Sequence, residues 1–126
     1  MNVKELIEII DGRLINPTAN LNREIKGGFG ADLMSDVLAS VQPEAVLCTG
    51  LCNPQIVRTA QMADVAAIIL VRGKHPPAET IRLATEEGLP LITTPYGMFE
   101  VCGRLHNSGL PSLEEPMQNG SCECED

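Results

Sequence analysis

The chain has 126 residues, a formal net charge of −8, 44% hydrophobic residues and 21% charged residues. This length and balance predict one globular domain with a short appendage. Two phenylalanines, one tyrosine, no tryptophan and an acidic excess argue against nucleic-acid binding, which uses basic faces and stacking rings. No apolar run is long enough to span a membrane, and the N-terminus lacks signal-peptide character, so we expect a cytoplasmic protein.

The five cysteines are Cys48, Cys52, Cys102, Cys122 and Cys124. An odd number without a secretory signal argues against a disulfide framework. Both histidines lie outside any zinc-ligand spacing, so we expect no structural metal and no cofactor. Cys122 and Cys124 are weak candidates for a soft metal, because two ligands are too few for a closed site.

The N-terminal third begins with a helix. Asn2 and Glu5 have the spacing of a capping box, an apolar stripe follows, and Gly12 is expected to end the helix. Residues 13–15 and 24–26 are short strand candidates. A second helix is predicted from about residue 32 to residue 39.

Three strand–loop–helix units follow. The strands are predicted at 45–49, 66–71 and 91–93, and the helices at 54–63, 77–87 and about 98–107. Pro54 and Pro77 suit the first turn of a helix, and Gly88 and Gly109 suit positions just past a helix end. The strands lack polar alternation, which is typical of a sheet covered on both faces. We therefore predict a three-layer α/β domain around a mainly parallel sheet, spanning residues 1–110. Residues 111–126 are predicted to form an acidic, cysteine-containing, flexible tail.

The loops after the three strands predict a binding edge. In an open parallel sheet such loops meet at the carboxyl ends of the strands, where helix N-termini offer unpaired N–H groups to anions. Arg72 and Lys74 are cations in an otherwise acidic chain, and the loop glycines allow close approach. The candidate ligand-binding residues are Thr49, Gly50, Asn53, Arg72, Gly73, Lys74, Thr94, Tyr96 and Asp32. Modest interaction energies at such an edge would suit a sensor of an abundant metabolite.

The sequence supports a catalytic function less well than it supports ligand binding. Asp32 and Asp36 are four residues apart and could face one site; alternatively Asp32 caps the helix and Asp36 is solvated. Cys52 lies just before a helix start, where a thiol pKa can fall, but no histidine is near it in sequence. Cys48 and Cys102 are expected in the core. The chain has neither a phosphate-loop motif nor a nucleophile-elbow motif, so we expect no enzyme activity.

Three segments carry a family resemblance: residues 47–54, 67–76 and 88–94. They resemble the DRTGG-domain family, which is similar to the N-terminal domain of HPr kinase/phosphorylase and to the middle domain of long phosphotransacetylases. Residues 28–38 look like small stand-alone members. The resemblance implies a regulatory α/β domain, often dimeric and joined to catalytic or nucleotide-sensing domains elsewhere. Where relatives can show Gly-Asp-Arg-Thr, this chain has Gly50-Leu51-Cys52-Asn53.

Two functions follow as hypotheses. The first is a non-catalytic regulatory module, expected as a homodimer, that senses a small anionic or phosphorylated metabolite, for example a nucleotide, at the strand-end loops. The alternative is an interaction or assembly module for a redox enzyme such as a hydrogenase. In that case the tail would contact the protein partner or handle a metal, and the hydrogenase context is implied by stand-alone relatives of the family.

Overall fold

The computed structural model describes residues 1–17 and 20–114, and within these ranges one five-stranded sheet forms the centre of the molecule. The strands are β1 (Arg13–Leu14), β2 (Gly27–Gly30), β3 (Ala45–Thr49), β4 (Ala67–Leu70) and β5 (Leu91–Thr93). Their order across the sheet is β1-β5-β4-β3-β2. Strands β2 to β5 are mutually parallel, and β1 pairs antiparallel with β5. The predicted α/β fold with a mainly parallel sheet is confirmed.

Helices cover both faces of the sheet. They are α1 (Val3–Ile9), α2 (Met34–Ser40), α3 (Pro54–Met62), α4 (Ala78–Glu86) and α5 (Met98–Asn107). One apolar cluster joins α1 and α5 to the sheet, and a second joins α2, α3 and α4 to the other face. β3 and β4 are buried along their whole length, which explains their unbroken apolar sequences.

Local sequence signals set several helix ends. The Asn2–Glu5 capping box forms in both directions, with N···O distances of 3.2 and 3.0 Å. The predicted glycines past α4 and α5 adopt left-handed backbone, with φ of +66° at Gly88 and +98° at Gly109. The end of α1 differs from the prediction, because the left-handed residue there is Asp11 (φ +49°) and not Gly12.

Two predicted elements are displaced. The strand expected at residues 24–26 lies instead at Gly27–Gly30, where the backbone pairs with β3. Helix α2 begins at Met34, and its N-cap, Leu33, makes no side-chain capping bond. Asp32 therefore lies outside the helix, and the suggestion that it caps α2 is wrong.

The segment after α5 runs beside β2. The Gly28 N–H donates to the Pro111 carbonyl at 2.8 Å, and the Leu113 N–H donates to the Gly28 carbonyl at 3.2 Å. A Cβ at Gly27 would overlap the Leu113 side chain and the Pro111 carbonyl oxygen, so this close approach requires glycine. Residues 111–114 of the predicted tail thus have described contacts, and the remainder, 115–126, lies outside the described residues.

No helix within the described ranges is both long enough and apolar enough to cross a bilayer.

Candidate functional site

The predicted loops share one edge of the sheet. Because β2, β3, β4 and β5 are parallel, the segments that follow them all emerge at their carboxyl ends. Strand β1 runs the other way, so Arg13, its first residue, begins at that same edge. The edge therefore combines four strand-to-helix loops with the start of β1.

At the corner between β3 and α3, a carboxylate of the chain itself takes the place of an external anion. Asp32 Oδ1 accepts a hydrogen bond from the Gly50 N–H at 2.7 Å and from the Thr49 hydroxyl at 3.2 Å. The Thr49 Oγ1 in turn accepts from the Leu51 N–H at 3.1 Å. Asn53 caps α3 by accepting from the Ile56 N–H at 3.2 Å. These amides are satisfied within the chain, contrary to the expectation that they are unpaired.

The corner between β4 and α4 is held against the loop after β5. The Arg72 N–H donates to the Tyr96 carbonyl and the Gly73 N–H to the Thr94 carbonyl, both at 2.7 Å. Arg72 and Gly73 have φ of +61° and +64°, so both lie in the left-handed region. The Arg72 guanidinium reaches back over β3, 3.5 Å from the position of a Cβ on Gly50. Arg72 and Asp32 therefore approach the same point from two loops.

An open basic cavity of about 330 Å³ lies beside the loop that follows β4. Its walls come from the start of β1, the end of β5 and the β4–α4 loop. The lining residues are Asp11, Arg13, Gly73, Lys74, His75, Thr93, Thr94 and Pro95. Arg13, Lys74 and His75 are all exposed, and Asp11 is the acidic member of the lining. The excess of basic groups favours a bound anion.

Tyr96 connects three elements beside this cavity. Its hydroxyl donates to the Asp11 carboxylate at 2.5 Å, and this hydrogen bond raises the pKa of the Tyr96 phenol. Its ring lies under the Arg104 guanidinium, 4.1 Å from the ring centroid to the guanidinium carbon. Thr94, whose hydroxyl donates to the buried Ile10 carbonyl at 2.7 Å, fixes the same loop to the end of α1.

The structure divides the predicted site residues into two groups. Asp32, Thr49, Gly50 and Arg72 meet at the β3–α3 corner, whereas Gly73, Lys74 and Thr94 line the basic cavity. Asn53 acts as a helix cap and Tyr96 as the connecting ring.

Sequence reasoning missed Arg13 and His75 as lining residues. Arg13 reaches the cavity through the antiparallel pairing of β1 with β5, in which it lies opposite Thr93. That pairing has no local signal in the sequence. His75 could have been predicted, because it follows Gly73 and Lys74 in a loop that the sequence already marks as a candidate binding loop.

The cysteines differ from the expectation in one respect. Cys48 is buried in β3 as predicted, but Cys102 is exposed on α5 and is not a core residue. Cys52 is half-buried. Within residues 1–17 and 20–114, no group of three His, Cys, Asp or Glu side chains is arranged to hold a metal ion. The weak metal candidates Cys122 and Cys124 lie outside the described residues.

The fold and this edge define a mainly parallel α/β domain whose strand-end loops surround a basic cavity. The sequence matches the DRTGG domain family model over residues 5–108, and the chain belongs to that family. No curated protein matches the sequence.

A similar solved structure is the crystal structure of the CBS and DRTGG domains of the regulatory region of Clostridium perfringens pyrophosphatase, in complex with the activator diadenosine tetraphosphate. The match has a TM-score of 0.62 and 17% sequence identity, and it covers 86% of this chain and 47% of that chain. The present chain thus spans about half of the length of its neighbour, and the likeness concerns the fold.

Proposed function

We propose that this chain is a non-catalytic regulatory module that binds a small anionic or phosphorylated metabolite in the basic cavity. The supporting observation is the placement of Arg13, Lys74 and His75 around one open space in a chain of net charge −8. The three come from β1 and from the β4–α4 loop, so the fold, and not a local run of basic residues, brings them together.

The donor groups of the cavity, and the binding free energy that they can supply, suit a phosphate-bearing small molecule. Arg13 supplies a planar fork of donors for phosphate oxygens, and Lys74 supplies a mobile point charge. A charge-assisted hydrogen bond contributes about 1.5–3 kcal/mol, and two of them correspond to a dissociation constant between about 6 mM and about 40 μM. Such an affinity follows the concentration of an abundant metabolite, as a regulatory module requires.

A nucleotide is the first ligand class to test. The regulatory region of the clostridial pyrophosphatase carries a dinucleoside tetraphosphate as its activator, and that region includes a domain of this fold. In the present chain, Arg13 and Lys74 would contact phosphate groups. The His75 imidazole is a lining ring that can stack on a base.

The proposal is tested by ligand-induced thermal stabilisation of the full chain. Inorganic phosphate, pyrophosphate, ATP and diadenosine tetraphosphate are each titrated to millimolar concentration while the melting temperature is followed. We expect at least one to raise it. Lys74→Ala or Arg13→Ala should then weaken binding by about ten- to a hundred-fold, because each removes one charge-assisted contact.

Lys26→Ala is the matched control for these variants. Lys26 precedes β2 at the opposite edge of the sheet and pairs with Glu44 at 2.7 Å, far from the basic cavity in the topology. It removes the same charge from the chain without touching the cavity. No stabilisation by any of the four compounds, or an equal loss of affinity in Lys26→Ala, would contradict the proposal.

Self-association is a separate proposal. We expect a homodimer in which the segment from α5 to residue 110 packs between subunits. Phe99 on α5 supports this expectation, because its residue surface is 93% exposed in the single chain. Light scattering should give the mass of a dimer, and Phe99→Glu should shift the equilibrium toward the monomer. A monomer at high micromolar concentration would refute it.

A further inference from the structure

A second cavity, of about 180 Å³, lies between α5, β2 and the segment that follows α5. It shares no lining residue with the basic cavity. Its walls include Phe29, Leu105 and Leu110, which are apolar, together with the two cysteines Cys48 and Cys102 and the polar residues His106 and Glu114. Two thiols at one cavity are a chemical feature that the proposed anion binding does not use.

A missing side chain in β2 brings the two cysteines together. Gly30 is the register partner of Cys48 across the β2–β3 pair. A Cβ on Gly30 would lie 3.3 Å from the Cys102 Sγ and 3.2 Å from the Met98 Sδ. Because Gly30 has no Cβ, the Cys102 thiol packs directly against β2, beside the strand that carries Cys48.

The two thiols have opposite character. Cys48 is 2% exposed in β3, whereas Cys102 is exposed on the surface of α5. Their side-chain hydrogen bond raises the pKa of the Cys48 thiol, which burial also raises, and lowers the pKa of the Cys102 thiol to about 7. Cys102 is therefore the more acidic of the two thiols, and it loses its proton before Cys48 as the pH rises.

We propose that Cys102 is a thiol-modification site for low-molecular-weight disulfides, with Cys48 as the resolving thiol that closes an intrachain disulfide between α5 and β3. The cavity beside the pair gives room for the leaving half of the incoming disulfide. The site is independent of anion binding and goes beyond the proposed regulatory function. It requires an accessible Cys102 thiol, so the exchange is measured at a low protein concentration, at which the proposed contact between α5 helices is dissociated.

The chemistry proceeds by two exchange steps. The Cys102 thiolate attacks one sulfur of the small disulfide, which forms a mixed disulfide and releases one small thiolate. Cys48 then gives its proton to that thiolate or to water and attacks the Cys102 Sγ, which releases the second small thiolate. The two cysteines lose two electrons and two protons in total, and the small disulfide becomes two small thiols.

A soft-metal site at the same place has less support. His106 and Glu114 also line the cavity, but within the described ranges no group of three His, Cys, Asp or Glu side chains is arranged to hold a metal ion, and a closed thiolate site needs more than two protein ligands. The disulfide reaction requires only the two sulfurs that the fold places together.

The test uses the full chain and glutathione disulfide as the probe. Free thiols are trapped with an alkylating reagent after timed exposure, and peptide mapping by mass spectrometry locates each modification. In the wild type we expect a peptide pair linked through Cys48 and Cys102. In Cys48→Ala the glutathione adduct should persist on Cys102, and in Cys102→Ser the buried Cys48 should stay unmodified.

Alkylation kinetics provide an independent readout that needs no substitution. The rate at Cys102 should rise with pH through a midpoint near 7, against about 8.5 for a model thiol. At pH 7 the rate should exceed that of the model thiol by about three-fold, because the larger thiolate fraction outweighs the lower intrinsic nucleophilicity.

Controls separate this proposal from general oxidation. Cys52→Ser should react like the wild type, and each variant is used only if it retains a cooperative melting transition. A midpoint near that of the model thiol would overturn the proposal, as would a glutathione adduct that persists on Cys102 of the folded wild type without linkage to Cys48. Preferential modification of Cys52 would overturn it as well.

Discussion

The corners that follow β3 and β4 have the same topological origin and different chemistry. At the corner after β3, the Asp32 carboxylate already accepts from the Gly50 N–H and the Thr49 hydroxyl. At the corner after β4, the main-chain N–H groups of Arg72 and Gly73 bind neighbouring carbonyls, and the side chains beyond them border an open basic cavity. The chain's own carboxylate thus occupies the first corner, whereas the second corner leaves an open space beside its basic side chains.

Removal of the Asp32 carboxylate should have the largest effect on stability. Asp32→Ala removes the acceptor of the buried Gly50 N–H and of the Thr49 hydroxyl, and because Asp32 is exposed to water, the free energy of unfolding should fall by about 2 kcal/mol. Urea denaturation measures this change. Asp32→Asn keeps an acceptor oxygen and is the matched variant, which should retain most of the stability. Equal losses in the two variants would show that the contrast between the corners does not depend on this acceptor.

Glycine-to-alanine substitutions at the two corners should lower the free energy of unfolding by different amounts, because backbone strain limits one position and side-chain contacts limit the other. Gly73 has φ of +64° with open space around its Cβ position, so Gly73→Ala is limited by backbone strain and should cost about 1–2 kcal/mol. Gly50 has neighbours at 3.4 to 3.6 Å, which are ordinary contacts, so Gly50→Ala should cost less than about 1 kcal/mol. Chemical denaturation of both variants gives the comparison. A larger loss in Gly50→Ala would contradict it.

The helix cap at the first corner should have the smallest effect. Asn53→Ala removes the acceptor of the Ile56 N–H at the start of α3 and should cost about 1 kcal/mol. Asn53→Asp keeps the acceptor and places a negative charge at the helix N-terminus, so its unfolding free energy should stay within about 0.5 kcal/mol of the wild type or exceed it. If both variants lose the same amount in urea denaturation, capping does not account for the role of Asn53.

The main strands and long helices were predictable because their patterns are local. β3 and β4 are short, unbroken apolar segments, Asn53 and Pro54 mark the start of α3, and Gly109 marks the end of α5. β2 was misplaced because Gly27–Gly30 has little intrinsic strand preference, and pairing with β3 overrides that preference. The requirement for glycine at 27 comes from Pro111 and Leu113, which are distant in sequence.

The sequence predicts the location of the candidate site at one edge of the sheet, but only some of its residues and their roles. Parallel strands put the loops at one edge, and the loop glycines with Arg72 and Lys74 marked them. The acceptor role of Asp32 and the position of Arg13 at the basic cavity both depend on contacts between separate elements. The Cys48–Cys102 pair depends in the same way on the register that places Gly30 beside Cys48. Such long-range pairing has no signature in a single sequence.

The position of Tyr96 gives the domain a built-in optical reporter. It is the single tyrosine of a chain without tryptophan, so fluorescence excited at wavelengths beyond the absorption of the two phenylalanines comes from one ring. That ring hydrogen-bonds to Asp11, a residue of the basic cavity wall, and its carbonyl accepts from the Arg72 N–H. Any guest that shifts the loop after β4 will change the surroundings of this chromophore, so binding can be followed by fluorescence without a label.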